Sequence, residues 1–258
     1  MNGLIKRRDL IGSLAAAPLL ARHGGAAAQA PVAATLRMGG FPQAPLVTGA
    51  DREPVQGLVR EFITSDVAPH TPLRFVWLDP CSMSRALQSL LDGFFDILLS
   101  RGDVSMPEGT GRFSWPLTES VPTLAVPLDS PLHEVHSPEQ LAGLTLGRTR
   151  DGTVPIGLMG VNINWVFTTG QNWQLVNLRM VERHRLDGCV FFNSFSPAYL
   201  AKTEHLAVRL LPLPLPPTRF YMWYSQHSDK AAIAEFDRVA GEAFRGGRFA
   251  RLLSDSLK

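Results

Sequence analysis

Charged and aromatic side chains stand at the ends of several short apolar segments, where they could bind a small molecule. Arg101 and Arg148 each follow an apolar run, and the guanidinium group stays protonated at physiological pH. Phe41 and Trp115 could stack on the apolar body of a ligand, or else pack in the core. Asp79 ends another apolar segment, where it either lines a pocket or caps the following helix. These residues favour a site for a small acid, the alternative for each arginine being a solvated surface group.

The residue patterns of common catalytic sites do not accompany these candidates. No serine lies in a G-x-S-x-G turn, which exposes the nucleophile of α/β-hydrolases. The seven histidines are scattered, and His184 lies in a charged segment typical of an exposed helix face. Two cysteines without an HExxH or CxxC motif give little support for a metal site. The sequence therefore predicts a protein that is not an enzyme and that needs no cofactor.

Two segments about 90 residues apart share one pattern and could position the candidate residues. Residues 85–100 and 179–194 each fit a short helix, a Gly/Asp turn and an apolar strand that ends in a small polar residue. Helix-to-strand units of this kind build parallel sheets. Two such units in separate halves of the chain predict an α/β fold with two lobes and a ligand cleft between them.

The N-terminus predicts export. Lys6-Arg7-Arg8 is a twin-arginine type start, an apolar stretch follows at 10–20, and small residues follow that stretch, as in a signal peptide. The stretch is shorter than the about 20 apolar residues that span a bilayer. We therefore expect residues 1–28 to be a cleaved twin-arginine type signal peptide rather than a membrane anchor, and the mature protein to be periplasmic.

Charge and cysteine content limit the partners. Removal of residues 1–28 leaves 21 basic and 22 acidic side chains, and no basic stripe favours nucleic acid. Cys81 and Cys189 lie in different halves of the chain and could form one disulfide in an oxidising compartment. Nothing in their spacing requires pairing, so we expect two free or buried cysteines.

The order of several short motifs resembles the bacterial extracellular solute-binding proteins, family 3, which have the type 2 periplasmic binding protein fold. The resemblance covers nearly all of residues 35–258. The motifs that carry it are Gly93-Phe-Phe-Asp96-Ile, Arg112-Phe-Ser-Trp-Pro-Leu117, Ser137-Pro-Glu-Gln-Leu-Ala-Gly143-Leu-Thr-Leu-Gly147, Arg185-Leu-Asp187 and Tyr224-Ser225, with Gly246-Gly247 after the last long helix.

The resemblance implies a domain organisation. Lobe 1 would comprise 31–122 and 218–258, and lobe 2 would comprise 128–212. Hinge crossings would lie at 123–127 and 213–217. Such proteins close around a solute by hinged motion of the lobes.

The resemblance also implies ligand contacts. Ser100 and Ser105 fall where the family uses small polar groups. Gly152-Thr153 matches a Gly-Thr pair whose backbone N–H groups and hydroxyl can receive an anionic oxygen. Phe192-Asn193-Ser194 stands where amino-acid binders carry an acidic residue for the α-ammonium group, and Glu108 or Gly109 stands where they carry an arginine for the α-carboxylate. The absence of both anchors predicts a ligand other than a standard α-amino acid, either a small acid or a neutral aromatic compound.

The function implied is capture of a small molecule and its delivery to an ABC-type transporter, a membrane permease or an accessory system. We expect a monomer. One alternative is a periplasmic lyase or dehydratase on the same fold, with Asp79 or Glu119 as a carboxylate of raised pKa in the cleft. The other alternative is an accessory subunit that has lost its ligand.

Overall fold

The computed structural model describes residues 33–49, 52–102, 107–150, 152 and 154–258. Residues Ala33–Lys258 form one compact unit. The expected signal peptide and two of the predicted contact residues, Ser105 and Thr153, lie outside the described residues. Within the described part of the chain, none of the helices is long and apolar enough to cross a membrane.

The strands belong to two sheets. Sheet 1 has the order β2-β1-β3-β11-β4, with β5 also paired to β11, and sheet 2 has the order β10-β6-β9-β7-β8. In chain order the strands are β1 (Thr35–Gly39), β2 (Arg74–Trp77), β3 (Ile97–Gly102), β4 (Thr110–Arg112), β5 (Thr118–Ser120), β6 (Thr123–Pro127), β7 (Thr145–Thr149), β8 (Asn164–Thr168), β9 (Gly188–Phe191), β10 (Val208–Pro212) and β11 (Thr218–Ser225).

Two of the longer helices begin at a polar residue whose side chain caps the first turn. Ser82 accepts a hydrogen bond from the Arg85 backbone N–H, and Asp229 accepts one from that of Ala232, so each satisfies a free donor of the first turn. The α-helices are α1 (Leu58–Phe62), α2 (Met83–Leu91), α3 (Trp173–Glu182), α4 (Phe195–Thr203), α5 (Lys230–Arg245) and α6 (Arg248–Leu257); α1 continues as a π turn (Ile63–Val67) and a 3-10 turn (Ala68–His70), and further 3-10 turns lie at Pro138–Leu141 and Ile156–Leu158.

The two similar sequence segments form equivalent structures. Each contributes a helix and a strand, β3 in sheet 1 and β9 in sheet 2, parallel to β1 and β7 respectively. Asp96, just before β3, accepts from the Arg37 backbone N–H at 2.8 Å. Asp187, just before β9, accepts from the Thr145 backbone N–H at 2.7 Å. Each aspartate therefore ties the start of its own strand to the neighbouring parallel strand.

The chain passes between the sheets twice. Residues 123–127, predicted as a hinge crossing, form β6 of sheet 2, which pairs with β10 along its whole length and with β9 at 123–125. Residues 213–217 connect β10 to β11, and the Leu213 backbone N–H donates to the Pro122 carbonyl at 2.9 Å. The lobe boundaries implied by the resemblance otherwise stay a prediction.

Sheet 1 carries a large aromatic core beneath α5 and α6. Trp115 is 6% exposed, stacks on Phe113 and Phe244, and donates its indole N–H to Asp237 at 2.6 Å. Every face and edge of this ring is therefore occupied by protein, and we exclude Trp115 from the candidate site. Cys81 and Cys189 are both buried and free, as expected.

Candidate functional site

The candidate site lies where the carboxyl ends of the parallel strands in the two sheets meet. In open α/β sheets, ligands bind outside the carboxyl ends of the strands. The Gln171 side-chain amide, from the segment between β8 and α3, donates to the Pro80 carbonyl, from the segment after β2, at 3.2 Å. The segments that follow these strands in the two lobes therefore face each other and touch.

Arg101 lies on β3 at the lobe 1 side of this edge. The pairing of β3 with β11 contains a bulge, since Tyr221 faces Arg101 while Trp223 faces Leu98. The extra residue turns Arg101 to the same face as Leu98, and its guanidinium carbon lies 4.6 Å from the centre of the Trp223 ring. Nη1 of Arg101 is buried and has no hydrogen-bond partner among the described residues, and this burial lowers the pKa of Arg101.

Arg112 was not among the predicted contact residues, but the fold brings it close to Arg101. It ends β4, on the other side of β11, opposite Trp223. Its guanidinium carbon lies 4.2 Å from the centre of the Tyr221 ring. The two arginines therefore flank one strand and cover two aromatic rings on the same face of sheet 1.

Ser100 and Phe41 form the buried floor of this region. The Ser100 hydroxyl donates to Oε1 of Gln43 at 2.7 Å, and both side chains are buried. Phe41 is 6% exposed and packs in one cluster with Tyr221 and Trp223. Both residues support the aromatic surface under the arginines, and in this structure neither side chain is open to solvent.

Arg148 lies on β7 at the lobe 2 side. Its guanidinium carbon lies 5.0 Å from the Phe167 ring centre and 5.5 Å from that of Trp165, both on the neighbouring strand β8. Nε and Nη1 of Arg148 are buried and find no hydrogen-bond partner in the part of the chain that the structure describes, and burial lowers the pKa of Arg148. Arg150 approaches the Phe167 ring at 5.6 Å, so this side of the site is also cationic.

Two further predicted contact residues, Asp79 and Gly152, follow strands β2 and β7 respectively. Asp79 is exposed after β2, and since Ser82 caps α2, the capping alternative for Asp79 is wrong. Gly152 follows β7, and an added Cβ would lie 2.8 Å from Cγ2 of Thr149. The backbone at this position therefore has no room for a side chain unless Thr149 moves.

Asn193 and Ser194 have structural partners at the start of α4. Asn193 is buried and accepts from the Ser196 backbone N–H at 2.7 Å, which satisfies a donor of the first helical turn. The Ser194 backbone N–H donates to the Ser120 hydroxyl at 2.8 Å. These contacts link α4 to the end of β5 in sheet 1.

Two further features of the described residues limit the chemistry of the site. No group of three or more His, Cys, Asp and Glu side chains there could hold a metal ion. A separate surface cavity of about 590 Å³ lies between α1, α4 and α6, beside Arg60, Tyr199 and Ser256. None of the predicted contact residues lines this cavity.

Comparison with known proteins identifies the fold but no sequence relative. No protein-family model and no curated protein matches the chain. The ligand-binding core of GluR0 in complex with L-glutamate aligns with a TM-score of 0.72 at 14% identity, over 88% of this chain and 99% of that one. The probable amino-acid ABC transporter extracellular-binding protein ytmK from Bacillus subtilis aligns with a TM-score of 0.67 at 15% identity, over 87% and 98%.

Sensor domains share the same architecture. A histidine kinase sensor domain with similarity to periplasmic binding proteins aligns with a TM-score of 0.69 at 17% identity, over 88% of this chain and 97% of that one. The chain therefore has the two-lobed type 2 periplasmic binding protein fold, which confirms the predicted fold class. At 14–17% identity this similarity shows the fold alone. Function must be argued from the residues of the candidate site.

Proposed function

We propose that this protein is an extracytoplasmic solute-binding protein that captures a small acid between its two lobes. One observation carries the proposal: Arg101 in lobe 1 and Arg148 in lobe 2, near the carboxyl ends of their strands, each hold buried N–H groups for which the described residues supply no acceptor. A buried donor without an acceptor costs about 1–3 kcal/mol, and more when it is charged. An anionic oxygen bound by these groups would remove that cost through charge-assisted hydrogen bonds.

The proposed solute is not a standard α-amino acid. The described residues of the site supply several cations, whereas the family position for binding an α-ammonium group is Asn193, whose Oδ1 already caps α4. An ammonium group enclosed there without a carboxylate would cost several kcal/mol. The arginines on aromatic rings instead suit an acid with an apolar body.

Isothermal titration calorimetry and thermal unfolding test the proposal. The purified mature chain is titrated with succinate, benzoate and L-glutamate. An acid present at 100 times its dissociation constant stabilises the folded state by about 2.7 kcal/mol. We expect Arg101→Ala and Arg148→Ala each to weaken binding of that acid by about tenfold or more, which is about 1.4 kcal/mol.

The matched control is Arg238→Ala on α5, where the arginine pairs with Glu235 at the surface at 2.8 Å. We expect it to bind as the parent does. Submicromolar binding of L-glutamate, or a double Arg101→Ala, Arg148→Ala variant that binds its acid as tightly as the parent, would refute the proposal.

We also propose that the protein is exported with loss of residues 1–28 and passes its solute to an ABC-type permease or an accessory membrane protein. The support is the Lys6-Arg7-Arg8 start and the small residues near Ala28. Intact mass measurement of protein from the periplasm should show this loss. Recovery of the full chain from Met1 in the membrane fraction would contradict it.

A further inference from the structure

Phe167 presents an exposed aromatic ring at the lobe 2 side of the candidate site. Among the described aromatic side chains, the largest exposed fractions belong to Phe94, at 59%, and Phe167, at 45%. Phe167 is the last but one residue of β8 and lies directly opposite Arg148 on β7. Its ring therefore stands near the carboxyl ends of two parallel strands, where open α/β sheets bind their ligands.

Two guanidinium groups lie close to the Phe167 ring. The guanidinium carbon of Arg148 is 5.0 Å from the ring centre, and that of Arg150 is 5.6 Å from it. Both distances fall within the about 6 Å over which the quadrupole of a ring attracts a cation. A second aromatic ring placed against Phe167 therefore comes within reach of the same cations.

Contact with the ring holds Arg148 in place without using its N–H donors. A guanidinium group presents its donors in its own plane, whereas the attraction to a ring acts through the charge of the group. Nε and Nη1 of Arg148 are buried, and the described residues supply no acceptor for them. A carboxylate held by these donors brings the atoms bonded to it next to the exposed ring of Phe167.

The two aromatic residues that the sequence suggested for ligand stacking are enclosed by protein. Phe41 and Trp115 are each 6% exposed. Phe41 belongs to a buried cluster, and Trp115 is stacked within the core of sheet 1. Phe167 is instead open to solvent, so a solute that covers its ring removes apolar surface from water.

We propose that Phe167 is a specificity-determining residue and that the solute is an aromatic acid, whose carboxylate is held by Arg148 and whose ring lies on Phe167. This inference rests on the proposed function, in which Arg148 binds the acid. Two aromatic rings in offset or edge-to-face contact gain energy beyond the apolar area that they bury, and the neighbouring guanidinium groups attract a second ring as well. Burial of apolar area alone would favour a saturated ring, which has the larger surface.

The test compares benzoate with cyclohexanecarboxylate at one pH and ionic strength. The two anions have the same number of carbon atoms and one carboxylate each, and they differ in whether the ring is aromatic. For the parent chain we expect benzoate to bind about threefold or more tightly in calorimetry. Phe167→Leu keeps an apolar side chain without the ring, so it should remove this preference, whereas Phe167→Tyr keeps the ring and should retain it.

Phe94→Leu is the matched control, because it makes the same change at an exposed phenylalanine before β3, at the opposite end of that strand from Arg101. It should bind both acids as the parent does, and thermal unfolding verifies that every variant folds.

Two results would overturn the inference and leave the proposed function standing, provided that Arg148→Ala still weakens acid binding. One is equal binding of the two acids by the parent, and the other is an unchanged preference in Phe167→Leu. Binding of succinate alone, dependent on both Arg101 and Arg148, would likewise overturn only the inference. Failure of all three probes to bind would overturn the inference and count against the proposed function as well.

Discussion

Asp96 shows how one residue can hold the fold and set its response to pH. Its side chain is 7% exposed and pairs with Arg37 at 2.8 Å, and it also accepts from the Ser228 hydroxyl at 2.9 Å. Burial alone would raise the pKa of Asp96, but the hydrogen bonds from Arg37 and Ser228 outweigh burial and lower it. Asp96 is therefore a structural residue of sheet 1 rather than a member of the candidate site.

We predict that Asp96→Asn lowers the free energy of unfolding by about 1–2 kcal/mol at about pH 7, a value discounted because Arg37 is partly exposed. The folded-state pKa of Asp96 lies below the unfolded value of about 3.9, so its contribution is complete above that pH and is lost as the pH falls through the folded pKa. The difference between parent and variant in urea unfolding should therefore shrink below about pH 4.

Asp92→Asn is the control for this measurement, because Asp92 is exposed and accepts a surface hydrogen bond from the Gln88 side-chain amide at 2.8 Å. It should unfold as the parent does at both pH values. A difference between parent and Asp96→Asn that stays constant with pH would contradict the account.

Residue types alone could predict some of the site but not its arrangement. Arg101 and Arg148 were identifiable because each follows an apolar strand. The position of Arg112 near Arg101 was not predictable, since it depends on the pairing of β4 and β11, which are more than 100 residues apart in the chain. Trp115 was predicted for the ligand because its sequence neighbours do not reveal that α5 covers it.

Among the secondary-structure elements, helix α4 connects the two lobes. It follows β9 of sheet 2, yet Phe195 in its first turn is 3% exposed and belongs to the core cluster of sheet 1. The Phe195 ring meets that of Phe220 edge to face, with centroids 5.3 Å apart. The start of α4 is therefore anchored in lobe 1 beside the chain passages.

We predict that Phe195→Ala lowers the free energy of unfolding by about 3–4 kcal/mol, because it leaves a cavity in the core of sheet 1. The matched control is Phe94→Ala, since Phe94 is 59% exposed and its loss should change stability by less than about 0.5 kcal/mol. Urea unfolding measures both. Equal effects of the two substitutions would show that Phe195 is not a core residue.

The elements predicted from sequence were those with strong local patterns. The repeated helix-to-strand units were found because the apolar residues of their strands, Ile97 to Leu99 and Cys189 to Phe191, are all buried. Strands β8 and β10 were not assigned, and both are edge strands of sheet 2. Edge strands are half exposed and tolerate proline, as at Pro212, so the alternating apolar pattern is weak.

At the scale of the whole molecule, the hydrogen bond from Gln171 to Pro80 should influence closure of the lobes. We predict that Gln171→Ala shifts the solute-free protein towards more open forms. A hydrogen bond worth about 1 kcal/mol changes the ratio of two states by about fivefold. Small-angle X-ray scattering should show a larger radius of gyration.

Gln226→Ala is the control, because the Gln226 amide bonds to the Thr110 carbonyl within sheet 1. It should leave the scattering profile unchanged. Identical profiles for Gln171→Ala and the parent would mean that this contact does not restrain the lobes.

The position of β11 has a consequence for biosynthesis. This strand lies between β3 and β4 in sheet 1 and also pairs with β5, although it is the last strand to be translated. Sheet 2 is complete once residue 212 has been made, whereas β3, β4 and β5 lack their common partner until residues 218–225 emerge. Because chains are made from the N-terminus, the nascent protein can complete sheet 2 before sheet 1, which lacks its central strand until residues 218–225 have emerged.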